Sequence, residues 1–121
     1  MANVHMIVGT LVVIAFAIDL ILRVLAYRGR TFTFTRIVAM AAAGLLLVQY
    51  VLGFGLLSDS GDKPSPIHYV LALAAILTVG AEHMATSQAG NDPKGANRIA
   101  LRAVAATLAL VLAAYFVGQS N

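Results

Sequence analysis

Few side chains in this sequence are equipped for chemistry, and the histidines stand out among them: His5, His68 and His83. His5 and His68 each open an apolar stretch, and His83 follows further along the same stretch as His68. Two neutral imidazoles brought to one level can bind a haem iron from its two faces. With the thioethers of Met1 and Met6 the same pair would suit Cu(I) instead. Two such side chains can also simply sit at a membrane surface, wetted by headgroups. The other ionisable residues in apolar surroundings are Asp19, Arg23, Glu82 and Arg102. Each is a functional hypothesis by default, because a charge in hydrocarbon is costly. Asp19 and Arg23 have the i,i+4 spacing of a helical salt bridge, with Glu82 and Arg102 as further partners at similar depth. That group also has the composition of an inner quinone or proton site.

The elements that must hold these residues follow from composition. Of 121 residues 60% are hydrophobic and 11% charged, and the mean hydropathy is +0.89. A soluble domain has about 45–50% apolar and about 25% charged residues. The chain is therefore neither a water-soluble globule nor a disordered polymer. Without cysteine it has no disulfide, thiol redox centre or thiolate metal site. A membrane-crossing helix takes about 20 mostly apolar residues. Four segments qualify: Met6 to Tyr27, Ile37 to Leu57, Ile67 to Thr86 and Ile99 to Val117. With their flanks they predict helices over 5–27, 36–57, 66–87 and 96–118. The connections are short and polar, so neighbouring helices run antiparallel. The expected fold is a single all-α domain, an integral membrane up-down four-helix bundle, without internal repeats.

The net charge of +3 and the pI near 9.7 are explained by topology rather than by nucleic acid. Arg23, Arg28, Arg30 and Arg36 flank the first connection, and Lys94, Arg98 and Arg102 follow the third. Only Lys63 lies on the other side. This bias directs the basic side to the cytoplasm and both termini outward, in the cell membrane of a prokaryote. No basic stretch precedes the first segment, so it reads as a retained helix and not as a cleaved signal. No phosphate-binding glycine loop and no nucleophile beside a base is present, which removes phosphoryl transfer and hydrolysis.

This topology puts His5 and His68 at the same outer depth, on helices that are diagonal partners across a four-helix core. Below His5 come Gly9, Val12 and Phe16, and below His68 come Ala72, Ala75 and Val79, at about 100° per residue. Small residues in the first turn leave room for a flat macrocycle, with Phe16 closing the floor. Small residues are equally at home wherever membrane helices pack closely. Gln49 and Gly53, one turn apart, would bond near the haem edge and make room for the ring, or serve to join helices. His83 lies about 22 Å from His68 along the helix. That suits a second haem completed by Met40, Met84 or a partner chain; otherwise His83 is an interfacial residue beside Glu82. Tyr50, Tyr69 and Tyr115 read as packing or interfacial aromatics.

The run Leu47-Val48-Gln49-Tyr50-Val51-Leu52-Gly53 resembles a helix in the four-helix unit of the haem A synthase family. In that unit a Gln-x-x-x-Gly stretch precedes an outer loop and then a helix opening with His. The run Pro66-Ile67-His68-Tyr69-Val70-Leu71-Ala72-Leu73-Ala74 resembles that next helix, and His5 corresponds to the family's other His. The resemblance implies that His5 and His68 are the axial ligands of one haem. Family members usually contain two such units. One handles the substrate haem, whose methyl group is oxidised to a formyl, and the other holds a permanent haem b. Here a single unit is present, and its histidines open the first and third helices rather than the second and fourth. Ala2 stands where the substrate-handling unit has a Glu, and there is no outer Cys pair. The chain looks closer to the cofactor-holding half.

The expectation is a membrane protein holding one haem b per chain between His5 and His68, lined by Gly9, Gln49, Gly53 and Ala72. Its role would be electron transfer or haem holding, with quinone or a redox protein as partner. A bis-His iron is low-spin and six-coordinate, which disfavours oxygen activation. Two other readings stand beside it: a half-size haem A synthase-like oxidoreductase acting as a homodimer, and a haem-free accessory subunit of a larger membrane complex. Ala103, Ala106, Ala109 and Ala113 form a small-residue surface that packs within the bundle or against a second copy.

Overall fold

The computed structural model describes residues 2–30, 32–59, 66–87 and 92–120. They form four helices, α1 (Ala2–Tyr27), α2 (Thr35–Asp59), α3 (Pro66–Ser87) and α4 (Pro93–Ser120), with no strand among the described residues. Each helix is long and apolar enough to cross a membrane. The chain is thus the all-α membrane bundle that its apolar segments predict. Met1, Thr31, the stretch 60–65 with Lys63, and 88–91 lie outside the described residues.

The helix ends have local causes. α1 starts at Ala2, which places His5 inside the first turn rather than at the helix start. It stops at a Schellman motif: Gly29 N–H donates to the Ala26 carbonyl at 3.0 Å and Arg30 N–H to the Leu25 carbonyl at 2.8 Å. Gly29 has a φ of 92°, a conformation that side chains strongly disfavour. α4 starts at Pro93 rather than at residue 96, because Asp92-Pro93-Lys94-Gly95 is a capped helix start and not a turn. Asp92 Oδ1 accepts from Gly95 N–H at 3.0 Å, and Pro93 occupies the first helical position, where its missing N–H is harmless. A Cβ on Gly95 would meet the Asp92 carboxylate, which would have to shift to make room.

Packing is inverted relative to a soluble protein. Val4, Ile7, Leu11, Ile14, Ile18 and Ile21 form an exposed stripe along α1, while Asp19 and Arg23 of the same helix are buried. That distribution is stable only where the surroundings are apolar. Phe16, fully buried, sits at the centre, packed with Val12, Ala42, Leu46, Ala75, Val79 and Val111 from all four helices. Around it α1 packs on α2 and α4, and α3 packs on α4, leaving α1 and α3 diagonal. The hydroxyls of Thr78 and Thr107 meet at 2.6 Å and tie α3 to α4.

The fourth side, between α2 and α3, is the loosest. At the basic end it holds a groove of about 870 Å³ lined by Arg36 and Met40 of α2, His83 and Met84 of α3, and Arg23 of α1. The small-residue surface of α4 is divided between two faces: Ala103 is buried in the bundle, whereas Ala109 is exposed.

Replacing Gly29 by Val should cost about 1–2 kcal/mol of unfolding free energy, because a left-handed backbone is imposed on a side chain. Gly44→Ala, where a Cβ meets open space, should cost nothing measurable. Unfolding by SDS in mixed micelles reads both.

Candidate functional site

One end of the bundle gathers His5, Gln49, Gly53, His68, Ala114 and Gly118. His68 leans against α4. Its Nδ1–H donates to the Ala114 carbonyl at 2.9 Å. In a neutral imidazole this bond selects the tautomer in which the other ring nitrogen, Nε2, carries the lone pair of a ligand. The approach is possible because α4 presents Gly118 at that level: a Cβ there would lie 3.3 Å from His68 Cε1 and 3.4 Å from Nδ1. Tyr69 packs edge-on to the imidazole, ring centres 6.1 Å apart.

His5 leans against α2 in a similar way. A Cβ on Gly53 would lie 3.3 Å from His5 Cε1, so the glycine makes room for the imidazole itself. The Gln49 amide donates to His5 Nε2 at 3.3 Å, leaving His5 Nδ1 and Gln49 Oε1 buried without hydrogen-bond partners. Gly9, expected to open space beneath His5, admits Gln49: a Cβ there would be 2.9 Å from the Gln49 amide nitrogen and 3.6 Å from Tyr115. Tyr115 in turn shares a 3.0 Å hydrogen bond with Thr10, joining α4 to α1 just below the site. Ala72 is half-buried on α3. His5 and His68, from diagonal helices, are close enough to interact electrostatically.

The predicted pair of histidines is therefore brought to one end, and each imidazole rests on a glycine of a neighbouring helix. Ala114 and Gly118 were missed by sequence reasoning. Their signal was a small-xxx-small spacing near the end of α4, which only the packing partner distinguishes from ordinary close-packed alanines. Among the described residues no group of three or more His, Cys, Asp and Glu is gathered as a metal site. Met1, considered for copper, lies outside the described residues, and Met6 is exposed.

The opposite, basic end holds a second polar cluster. Arg23 donates from Nε at 3.0 Å and Nη2 at 2.9 Å to one oxygen of Glu82, Oε2. Its contact with Asp19, the expected i,i+4 partner, is longer at 3.6 Å. Asp19 and Glu82 are completely buried. Arg102, expected as a further partner, stays exposed on α4, one face away from the cluster. His83 lies on the groove wall beside Met40 and Met84, with its Nε2 buried and without a partner.

Arg23→Leu should destabilise the bundle by about 3–5 kcal/mol, since it strands buried carboxylates. Arg102→Leu should stay within about 0.5 kcal/mol, as surface substitutions do. Reversible unfolding of both variants in the same micelles makes the comparison.

Compared with protein-family models, curated proteins and solved structures, the chain matches none.

Proposed function

We propose that this chain is a membrane b-type haem protein, holding one haem between His5 and His68 near the end of the bundle where both residues lie. The single observation that carries the reading is the His68 Nδ1–H bond to the Ala114 carbonyl, which in the neutral imidazole makes Nε2 the donor nitrogen. Metal-bound histidines are held in this manner, the far nitrogen anchored to a carbonyl or carboxylate. His5 supports it from the diagonal helix, with one ring nitrogen buried and unpartnered and the other on a weak 3.3 Å contact to Gln49. His5 would give up that contact to act as a ligand, and Gln49 would remain beside it as a polar group.

His5 and His68 would hold the haem, which would supply one-electron chemistry suited to electron transfer or haem holding rather than oxygen activation. The protein's own part is positional. Gly53 and Gly118 set the imidazoles against α2 and α4, Phe16 and Val12 belong to the apolar core of the bundle, and the lipid-facing stripe keeps the bundle in the bilayer. A quinone or a redox protein is the partner this reading assigns, in the cell membrane of a prokaryote with both termini outward.

Titration of the detergent-purified protein with haemin should saturate at roughly one per chain with a low-spin spectrum. His5→Ala and His68→Ala should each abolish that spectrum while the helices persist by circular dichroism. Gly118→Val, which displaces His68 but keeps it, should weaken haem retention by about tenfold or more. Single histidine variants that keep the low-spin spectrum would refute the axial pair.

A further inference from the structure

The cluster at the basic end leaves acceptors without donors. Glu82 Oε2 accepts from both Nε and Nη2 of Arg23. Glu82 Oε1 and both oxygens of Asp19 are buried with no hydrogen-bond donor. Yet both carboxyls face the same Arg23 guanidinium, Glu82 at 2.9 Å and Asp19 at 3.6 Å, and are close enough to interact with each other. Two facing carboxylate oxygens are both acceptors, and they can bond only when a proton lies between them. Charge leads to the same result. Two carboxylates against one guanidinium leave an uncompensated negative charge in an apolar interior, which such an interior strongly disfavours.

Among the described residues only Arg23 is ion-paired with the two carboxyls, and His83 lies near enough to Asp19 to interact with it electrostatically. Arg102 of α4 is exposed, and Arg36 of α2 and His83 of α3 stand on the wall of the neighbouring groove. A bound metal ion is a poor match, since no group of three or more His, Cys, Asp and Glu is gathered among the described residues. The groove itself joins the cluster to the basic end, because Arg23 and His83 both line it.

We propose that Asp19 and Glu82 form a proton-binding site that holds one exchangeable proton between an Asp19 oxygen and Glu82 Oε1, filled from the basic side through the groove between α2 and α3. The step is a simple protonation: one O–H bond forms, the cluster goes from one net negative charge to neutral, and nothing is oxidised or reduced. Arg23 clamps Glu82 through Oε2 and leaves Oε1 without a donor. His83, with its buried and unpartnered Nε2, is placed to pass the proton from the groove. The site is independent of haem.

Infrared spectroscopy of the full, detergent-purified chain without added haem tests this. The other acidic residues, Asp59, Asp62 and Asp92, fall in sequence outside the four apolar segments, so Asp19 and Glu82 are the two carboxyls within them. The native protein should therefore show a single protonated-carboxyl stretching band near neutrality, shifting in D2O. In Glu82→Gln and in Asp19→Asn the remaining carboxylate balances Arg23 without a proton, so each variant should lose the band. Absence of the band in the native protein would overturn the proposal. So would a band that persists in either variant, which would assign the proton to one residue rather than the pair, or a band that fails to shift in D2O. If a variant does not insert, alkaline titration of the native band decides. One reversible loss per chain supports the shared site, and two separate steps contradict it.

Discussion

Hydrocarbon offers no hydrogen bond to a protein, and this constraint organises the chain at every level. It requires that each backbone polar group be satisfied within a helix, which produces the four long helices. It also sorts the side chains, placing the isoleucine and valine stripe of α1 outside and Asp19, Arg23, Glu82 and Thr107 inside. The polar groups then have only one another. Arg23 and Glu82, on helices that are diagonal across the core, meet through two short hydrogen bonds and so join α1 to α3 where the backbones do not.

The same constraint separates the molecule into two polar ends around an apolar waist. Phe16 and its neighbours from all four helices fill the middle. On one side of it lie two imidazoles, each resting on a glycine of an adjacent helix. On the other lie a guanidinium and two carboxyls at the head of an open groove. The end with the imidazoles has nitrogen atoms whose lone pairs are free or weakly held, and the opposite end has oxygen atoms without donors. The first arrangement suits a ligand that accepts nitrogen donors, the second a ligand that supplies a proton.

Much of this was legible in the sequence. The number and placement of the helices followed from apolar length alone, since lipid thickness imposes it. The common level of His5 and His68 followed from antiparallel connectivity. Less legible were the long-range choices. Asp19 is four residues from Arg23 and looked like its partner, yet Glu82, 59 residues away in sequence, takes the short hydrogen bonds. Gly9 and Gly53 looked like space for a macrocycle. In the folded chain they admit Gln49 and the His5 ring, a packing detail that depends on how α2 rotates against α1. The anchor of His68 is a backbone carbonyl, which has no signature in side-chain identity. The start of α4 was misplaced because a polar capping sequence and a polar turn have the same composition.

The central claim is that His5 and His68 hold a haem, and a reduced-minus-oxidised optical spectrum of the protein purified from its membranes tests it most directly. The account predicts the sharp reduced bands of a bis-histidine b-type haem, at roughly one haem per chain. A protein that is isolated colourless, and stays so when haem is supplied during expression, would contradict it.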